Sequence, residues 1–221
     1  MSMPAVVMRT YKMFKDDSSF RKLIKQMSRK LSKMRDPLKQ AKYVHKKVNE
    51  ELKSQFSDPL VRELVQCSKG CTGCCHTQVS VTEGEALILA EKIQQGEIRI
   101  DLEKLFRQAE AGESASQFYR LDYQSRGCVF LDEDGACQVY DDRPSVCRTN
   151  HVLSDPKDCE IKTLEQGQNP SVQLLNTYSS DSWIYALFNE SRLSGVLPVV
   201  LKRVLSQFKV RDIHDISKSN D

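Results

Sequence analysis

In the first third of the chain, apolar residues recur at intervals of three and four. Phe20, Leu23, Ile24, Met27, Leu31 and Met34 make one such stripe, which predicts a helix that Ser18 and Ser19 can cap. Asp36-Pro37 ends it and opens the next helix, with Asp36 as cap and Pro37 in the first turn. Ala41, Val44, Val48, Leu52 and Phe56 carry that helix, and Ser57-Asp58-Pro59 repeats the device for a short segment from Leu60 to Gln66. Further on, Val79-Ser80-Val81 reads as a brief extended piece. Thr82 with Glu85 forms a capping box that opens a helix through Ala86, Leu87, Leu89, Ala90 and Ile93, ending near Gly96.

Residues 101–124 read as further helix broken at Gly112. Two short apolar runs then flank Asp134-Gly135 between Cys128 and Tyr140, a hairpin signal. Residues 154–170 look loop-like. Two closing helices are expected, one capped by Asp181 and running from Trp183 to Leu193, the other started by Pro198. The fold expected is mainly α with a small β-hairpin and an irregular cysteine-rich metal-binding core packed by helices. Residues 1–66 read as a basic helical region, and 67–221 as a cysteine-cluster domain with C-terminal helices.

The cysteines change this picture most. Cys67, Cys71, Cys74 and Cys75 crowd into nine residues, and Cys128, Cys137, Cys147 and Cys159 supply a second segment. Thiolates are soft anionic ligands that suit zinc and iron–sulfur clusters and do not suit hard cations. Cys71-x-x-Cys74 is the usual two-residue knuckle between metal-binding thiols. One such pair is weak evidence, because redox proteins use it too; eight cysteines in two clusters are strong evidence. On an extended backbone the side chains of Cys74 and Cys75 would point apart, so the two would serve different metals or different atoms of one cluster. A disulfide between them would be strained. The eight sulfurs divide into two four-sulfur sites, or into one cubane cluster with sulfurs left for a second metal or for catalysis.

Eight thiolates also need their charge offset. Lys69, Arg126, Arg143 and Arg148 stand beside cysteines in sequence and are candidates. His76 and His151 flank the ligand segments and read as structural or supporting groups before ligands. His45 lies among lysines and reads as solvated, and His214 belongs to the polar tail.

The net charge of +3 divides unevenly, with +9 on residues 1–66 and −6 on the remainder. The basic residues lack interleaved aromatics for base stacking, so a solvated face is favoured over a nucleic-acid surface. No apolar run approaches the roughly 20 residues of a membrane span. The apolar stretch near the N-terminus, Pro4 to Met8, is too short for a signal peptide. The reading is a cytoplasmic chain with reduced thiols, in which many cysteines argue for metal rather than disulfides.

The spacing C-x3-C-x2-C-C-H, followed by Val79-x-Val81-Thr82-x-x-Glu85-Ala86 and by C-x-F-L-x5-C-x-V-Y-x-x-R-P-x-x-C-R, resembles the bacterial CxxCxxCC cysteine-cluster family (YkgJ-like), a zinc- or iron-chelating domain. The matching positions are Cys67, Cys71, Cys74, Cys75, Cys128, Phe130, Leu131, Cys137, Tyr140, Arg143, Pro144, Cys147 and Arg148, with Cys159 like the extra cysteine of longer members. The first gap holds three residues where the family's name has two. The resemblance implies a metal centre, an iron–sulfur cluster or zinc, on the eight cysteines. The family is also similar to the cysteine-rich part of flagellin lysine N-methyltransferases, which implies an alternative: a redox or S-adenosylmethionine-dependent enzyme acting on a protein substrate. This chain has no recognisable methyl-donor motif. A third reading is a zinc-stapled module whose residues 1–66 bind nucleic acid or a partner.

Overall fold

The computed structural model describes residues 3–68, 70–163, 165–166 and 172–208, the side chain of Val6 aside. Helix α1 spans Ala5–Phe14 and α2 Ser18–Ser32. The cap of α2 is Asp17, whose carboxylate accepts from the N–H groups of Ser19 and Phe20, and Ser18 and Ser19 are the first helical residues. A carboxylate at this position outcompetes a hydroxyl because it also complements the helix dipole. Helices α3 (Pro37–Gln55) and α4 (Pro59–Leu64) start at Asp36-Pro37 and Asp58-Pro59, as expected.

Strand β1 (Ser80–Thr82) leads into α5 (Glu83–Gln94), which opens on the Thr82/Glu85 capping box. Then come α6 (Leu102–Glu110), α7 (Ala115–Phe118), α8 (Tyr123–Arg126) and α9 (Ser145–Thr149). Helix α10 covers Tyr178–Glu190, so Asp181 sits inside its first turn and is not its cap. Its carboxylate instead accepts from Thr10 at 2.6 Å and Thr177 at 3.0 Å. Strand β2 (Ser194–Val196) and α11 (Leu197–Gln207) follow, with Pro198 in the first turn of α11. His214 and the polar tail lie outside the described residues, as does the Gly167–Pro170 stretch.

The described residues are mainly helical with one small antiparallel sheet, the expected class. The sheet, however, pairs β1 with β2 in the register Ser80↔Val196, Val81↔Gly195 and Thr82↔Ser194. Residues 128–140, expected as the hairpin, form only an isolated bridge between Leu131 and Cys137 around a turn at Gly135. Gly135 has φ of +77°, which a side chain would strain. Only Asp132 N–H to Ala136 O and Gln138 N–H to Phe130 O extend the pairing.

Two apolar clusters hold these elements. One joins Val7, Met27, Leu31, Val44, Val48 and Leu52 of α1–α3 to Ile184, Ala186, Leu187 and Phe188 of α10. The other gathers Val81, Ala86, Leu89, Leu105, Phe130, Val139, Leu201 and Val204 from β1, α5, α6, the Gly135 loop and α11. Leu31 is wholly buried, so cutting it to Ala would cost about 2–5 kcal/mol. The clusters meet where α3 crosses α5. At Gly84 a Cβ would lie 2.1 Å from the Pro37 carbonyl oxygen, so only glycine permits this approach.

Candidate metal centre

Both thiol segments are laid against each other by backbone contacts. Gln66 N–H donates to Val152 O at 2.9 Å, and Val152 N–H donates to Cys67 Sγ at 3.2 Å. The Gly70 turn brings Cys71 N–H to Ser68 O, and a 3-10 helix over Gly73–His76 winds Cys74 and Cys75. Cys128 N–H then donates to Cys75 O at 2.9 Å, and the Gly135 loop returns Cys137 beside it. Cys147 lies in α9, and Cys159 ends a second 3-10 helix, Pro156–Cys159. A Cβ on Gly73 would be 2.9 Å from Cys159 Cβ, so the last cysteine rests against the first cluster.

The local form of Cys74-Cys75 differs from the extended pair expected. In a 3-10 turn successive side chains are not on opposite faces, and here the Cys75 thiol hydrogen-bonds the Cys74 sulfur. That bond, with help from Asn150 and the charge of Arg143, outweighs burial and holds the Cys74 thiol down to about 6. The same bond, together with burial, pushes the Cys75 thiol up.

Cys74 is the hub of the cluster. Its charge acts on Cys67, Cys75, Cys128, Cys137, Cys147 and Cys159, while Cys71 acts on Cys67 and Cys159. Burial raises the thiols of Cys67, Cys137 and Cys147, lifts Cys128 to about 11 and pushes Cys159 to about 12. Desolvation disfavours a bare thiolate, and a bound cation reverses that sign. Backbone N–H groups two residues on, from Phe130 and Val139, already point at the sulfurs of Cys128 and Cys137. Such N–H···S bonds favour the anionic form of each sulfur.

The candidate cations part company. Arg143 acts on Cys67, Cys74, Cys137 and Cys147, with its guanidinium 4.0 Å over the Tyr140 ring. Arg148 is 5% exposed and turns away into a polar network, donating to Asn49 Oδ1, Arg143 O and Asp141 O and approaching His45 Nδ1 at 3.3 Å. Arg126 donates to the carbonyls of Ile161 and Lys162 and lies over Tyr119 and Tyr123, fastening the chain just after Cys159. Lys69 is outside the described residues.

His45 is not solvated. It is 6% exposed, and its Nε2 lies 3.3 Å from Glu85 Oε1, itself bonded by Ser145. Its place on α3 between Ala41, Val44 and Val48 is on the buried face, which outweighs the lysines beside it in sequence. His76 accepts packing rather than a ligand role: its Nδ1 is 3.1 Å from Thr72 O and its ring stacks on Tyr123 at 4.2 Å. His151 meets the Phe56 ring at 4.8 Å. Burial lowers both imidazoles. Three contributors carried no sequence signal: Asn150, Lys104, whose charge lowers Cys128, and Glu85 in its link to Ser145.

As they stand, no three Cys, His, Asp or Glu side chains among the described residues are close enough to share one metal ion. The donor set nevertheless fits a thiophilic metal in kind: eight free thiols gathered from two segments, amide N–H groups aimed at them, and a buried Arg143 Nε with no acceptor. The architecture is thus a helical scaffold that packs two thiol-bearing segments together. Residues 66–170 match the family model CxxCxxCC, described as "Putative zinc- or iron-chelating domain", a stretch that includes all eight cysteines. No curated protein and no solved structure matches the chain. No helix among the described residues is long and apolar enough to cross a membrane.

Proposed function

We propose that this is a cytoplasmic metal-binding protein in which Cys67, Cys71, Cys74, Cys75, Cys128, Cys137, Cys147 and Cys159 hold an iron–sulfur cluster or zinc. The observation that carries the reading is the packing of the two thiol segments on each other, through Cys128 N–H to Cys75 O, Val152 N–H to Cys67 Sγ and Cys159 against Gly73. Burial makes these sulfurs poor free thiolates, and a cation bound among them would draw them in and supply the missing positive charge. Zinc in closed four-thiolate sites would act as a structural staple, since no position is left for substrate. An iron–sulfur cluster would supply electron-transfer or radical chemistry, while this chain's residues hold, desolvate and hydrogen-bond its sulfur ligands.

The test is purification of the full chain without oxygen, followed by elemental analysis and a visible spectrum. Brown protein with iron and sulfide, bleached by dithionite, identifies the cluster. Colourless protein with stoichiometric zinc identifies the staple. Protein that carries neither metal, and takes up neither on reconstitution under reducing conditions, refutes the reading.

A further inference from the structure

The segment Tyr140–Arg148 holds a cation whose placement asks for an acceptor. Arg143 precedes Pro144, and its own carbonyl is fixed by the Arg148 Nε–H at 2.9 Å. Arg148 in turn donates to Asn49 on α3, so the backbone at Arg143 is anchored from the helical side of the molecule. The guanidinium is steadied over the Tyr140 ring. Its Nε is buried and finds no hydrogen-bond partner among the described residues. A buried, charged N–H without an acceptor is costly, and native structures rarely leave one so. Cys147 sits on the same turn, its N–H donating to Pro144 O at 2.9 Å, and the charge of Arg143 acts on Cys67, Cys74, Cys137 and Cys147, two from each segment.

We propose that Arg143 is the resident counter-cation of the thiolate centre: its Nε–H donates to a sulfur that has given up its proton to solvent on binding metal, and its guanidinium offsets part of the negative charge that eight sulfurs bring. This rests on the metal reading above. Two divalent ions return only half the charge of eight thiolates, and a fixed cation that cannot be deprotonated is suited to the remainder. In this role Arg143 pairs with a ligand sulfur of the metal-loaded protein and not with the metal, so it tunes affinity without being a ligand. Lysine at this position would keep the charge but not the planar N–H aimed from the Cδ side.

The experiment compares the full-length reduced chain with Arg143→Gln and Arg143→Lys. Zinc affinity is read by competition with a chromophoric chelator, and cobalt(II) is used to read sulfur-to-metal charge-transfer absorption. Urea unfolding without added metal serves as the control. Arg143→Gln is expected to bind zinc roughly 10- to 100-fold more weakly, the usual cost of removing a group that supports metal ligands. Arg143→Lys is expected to fall between Gln and wild type, with the cobalt band retained in both variants because no ligand is lost. Arg143→Gln binding within about twofold of wild type overturns the proposal and leaves the metal reading intact. Wild type that takes up neither zinc, cobalt nor iron through its cysteines ends the metal reading itself. Should Arg143→Gln fail to fold, Arg143→Lys decides: affinity equal to wild type overturns the role of the Nε–H, and a several-fold loss supports it.

Discussion

Removing the charge of Glu85 should cost the protein about 3 kcal/mol, and two routes lead to that figure. The carboxylate side chain is fully buried and receives five contacts. Oε2 accepts from Thr82 N–H at 2.9 Å and Thr82 Oγ1 at 3.0 Å; Oε1 accepts from Ser145 N–H at 2.7 Å and Ser145 Oγ at 2.5 Å and lies 3.3 Å from His45 Nε2. In Glu85→Gln one oxygen remains, and the new NH2 group faces donors. Losing one partner of such a buried charged arrangement costs about 3–5 kcal/mol. The second route is titration. Burial alone would raise this carboxyl, but the bonds from His45 and Ser145 hold it at about 2 against an ordinary 4.5. That difference corresponds to about 3 kcal/mol. Because the folded value is depressed, this stability is present above pH 4.5 and is lost as pH falls toward 2. The assay is urea unfolding of the reduced protein in chelator, wild type against Glu85→Gln, from neutral pH into acid. The gap should be about 3 kcal/mol at neutral pH and should close as Glu85 protonates. A gap below about 1 kcal/mol at neutral pH, or one that does not change with pH, would refute the argument.

Two further substitutions test the frame around the site. Asp181 is raised to about 6 from an ordinary 3.8, burial outweighing its bonds from Thr10 and Thr177. The stability its protonated form contributes is complete below 3.8 and lost as pH rises through about 6, so Asp181→Asn should gain about 2–3 kcal/mol at neutral pH and nothing below pH 3.8. A loss in neutral urea titrations would show that its hydrogen bonds dominate. Gly84→Ala drives a methyl to within 2.1 Å of Pro37 O and should force α3 from α5, costing about 3 kcal/mol; an unchanged urea midpoint would mean the crossing is looser than described.

What the sequence revealed, and what it hid, follows from the range of the interactions. The Asp-Pro starts of α3 and α4, the Thr82/Glu85 box and the stripe Phe20–Leu31 are settled within a turn or two of chain, and each is where the pattern put it. Strand β2 could not be read, because its partner β1 lies far back in the chain and its three residues have no alternation to detect. The hairpin signal at Asp134-Gly135 was sound as a turn, but the flanking residues bend to bring Cys128 and Cys137 together, which leaves one bridge instead of strands. His45 was within reach: its spacing from Ala41 and Val48 put it on the buried face, and lysine neighbours in sequence obscured that.

The thiol centre depends on more than the segment that carries its cysteines. The family match begins at residue 66, yet Asn49 and His45 on α3 contact Arg148, and Arg148 fixes the carbonyl of Arg143. His45 also meets Glu85, which holds the first residue of the helix containing Cys147. The spacing of the cysteines names the donors but says nothing of this outer layer, because its members are ordinary residues made special by burial together. A helix outside the matched domain therefore helps fix the backbone from which the cysteines and their cation project. The basic region is joined to the rest by polar contacts as well as by the apolar cluster it shares with α10.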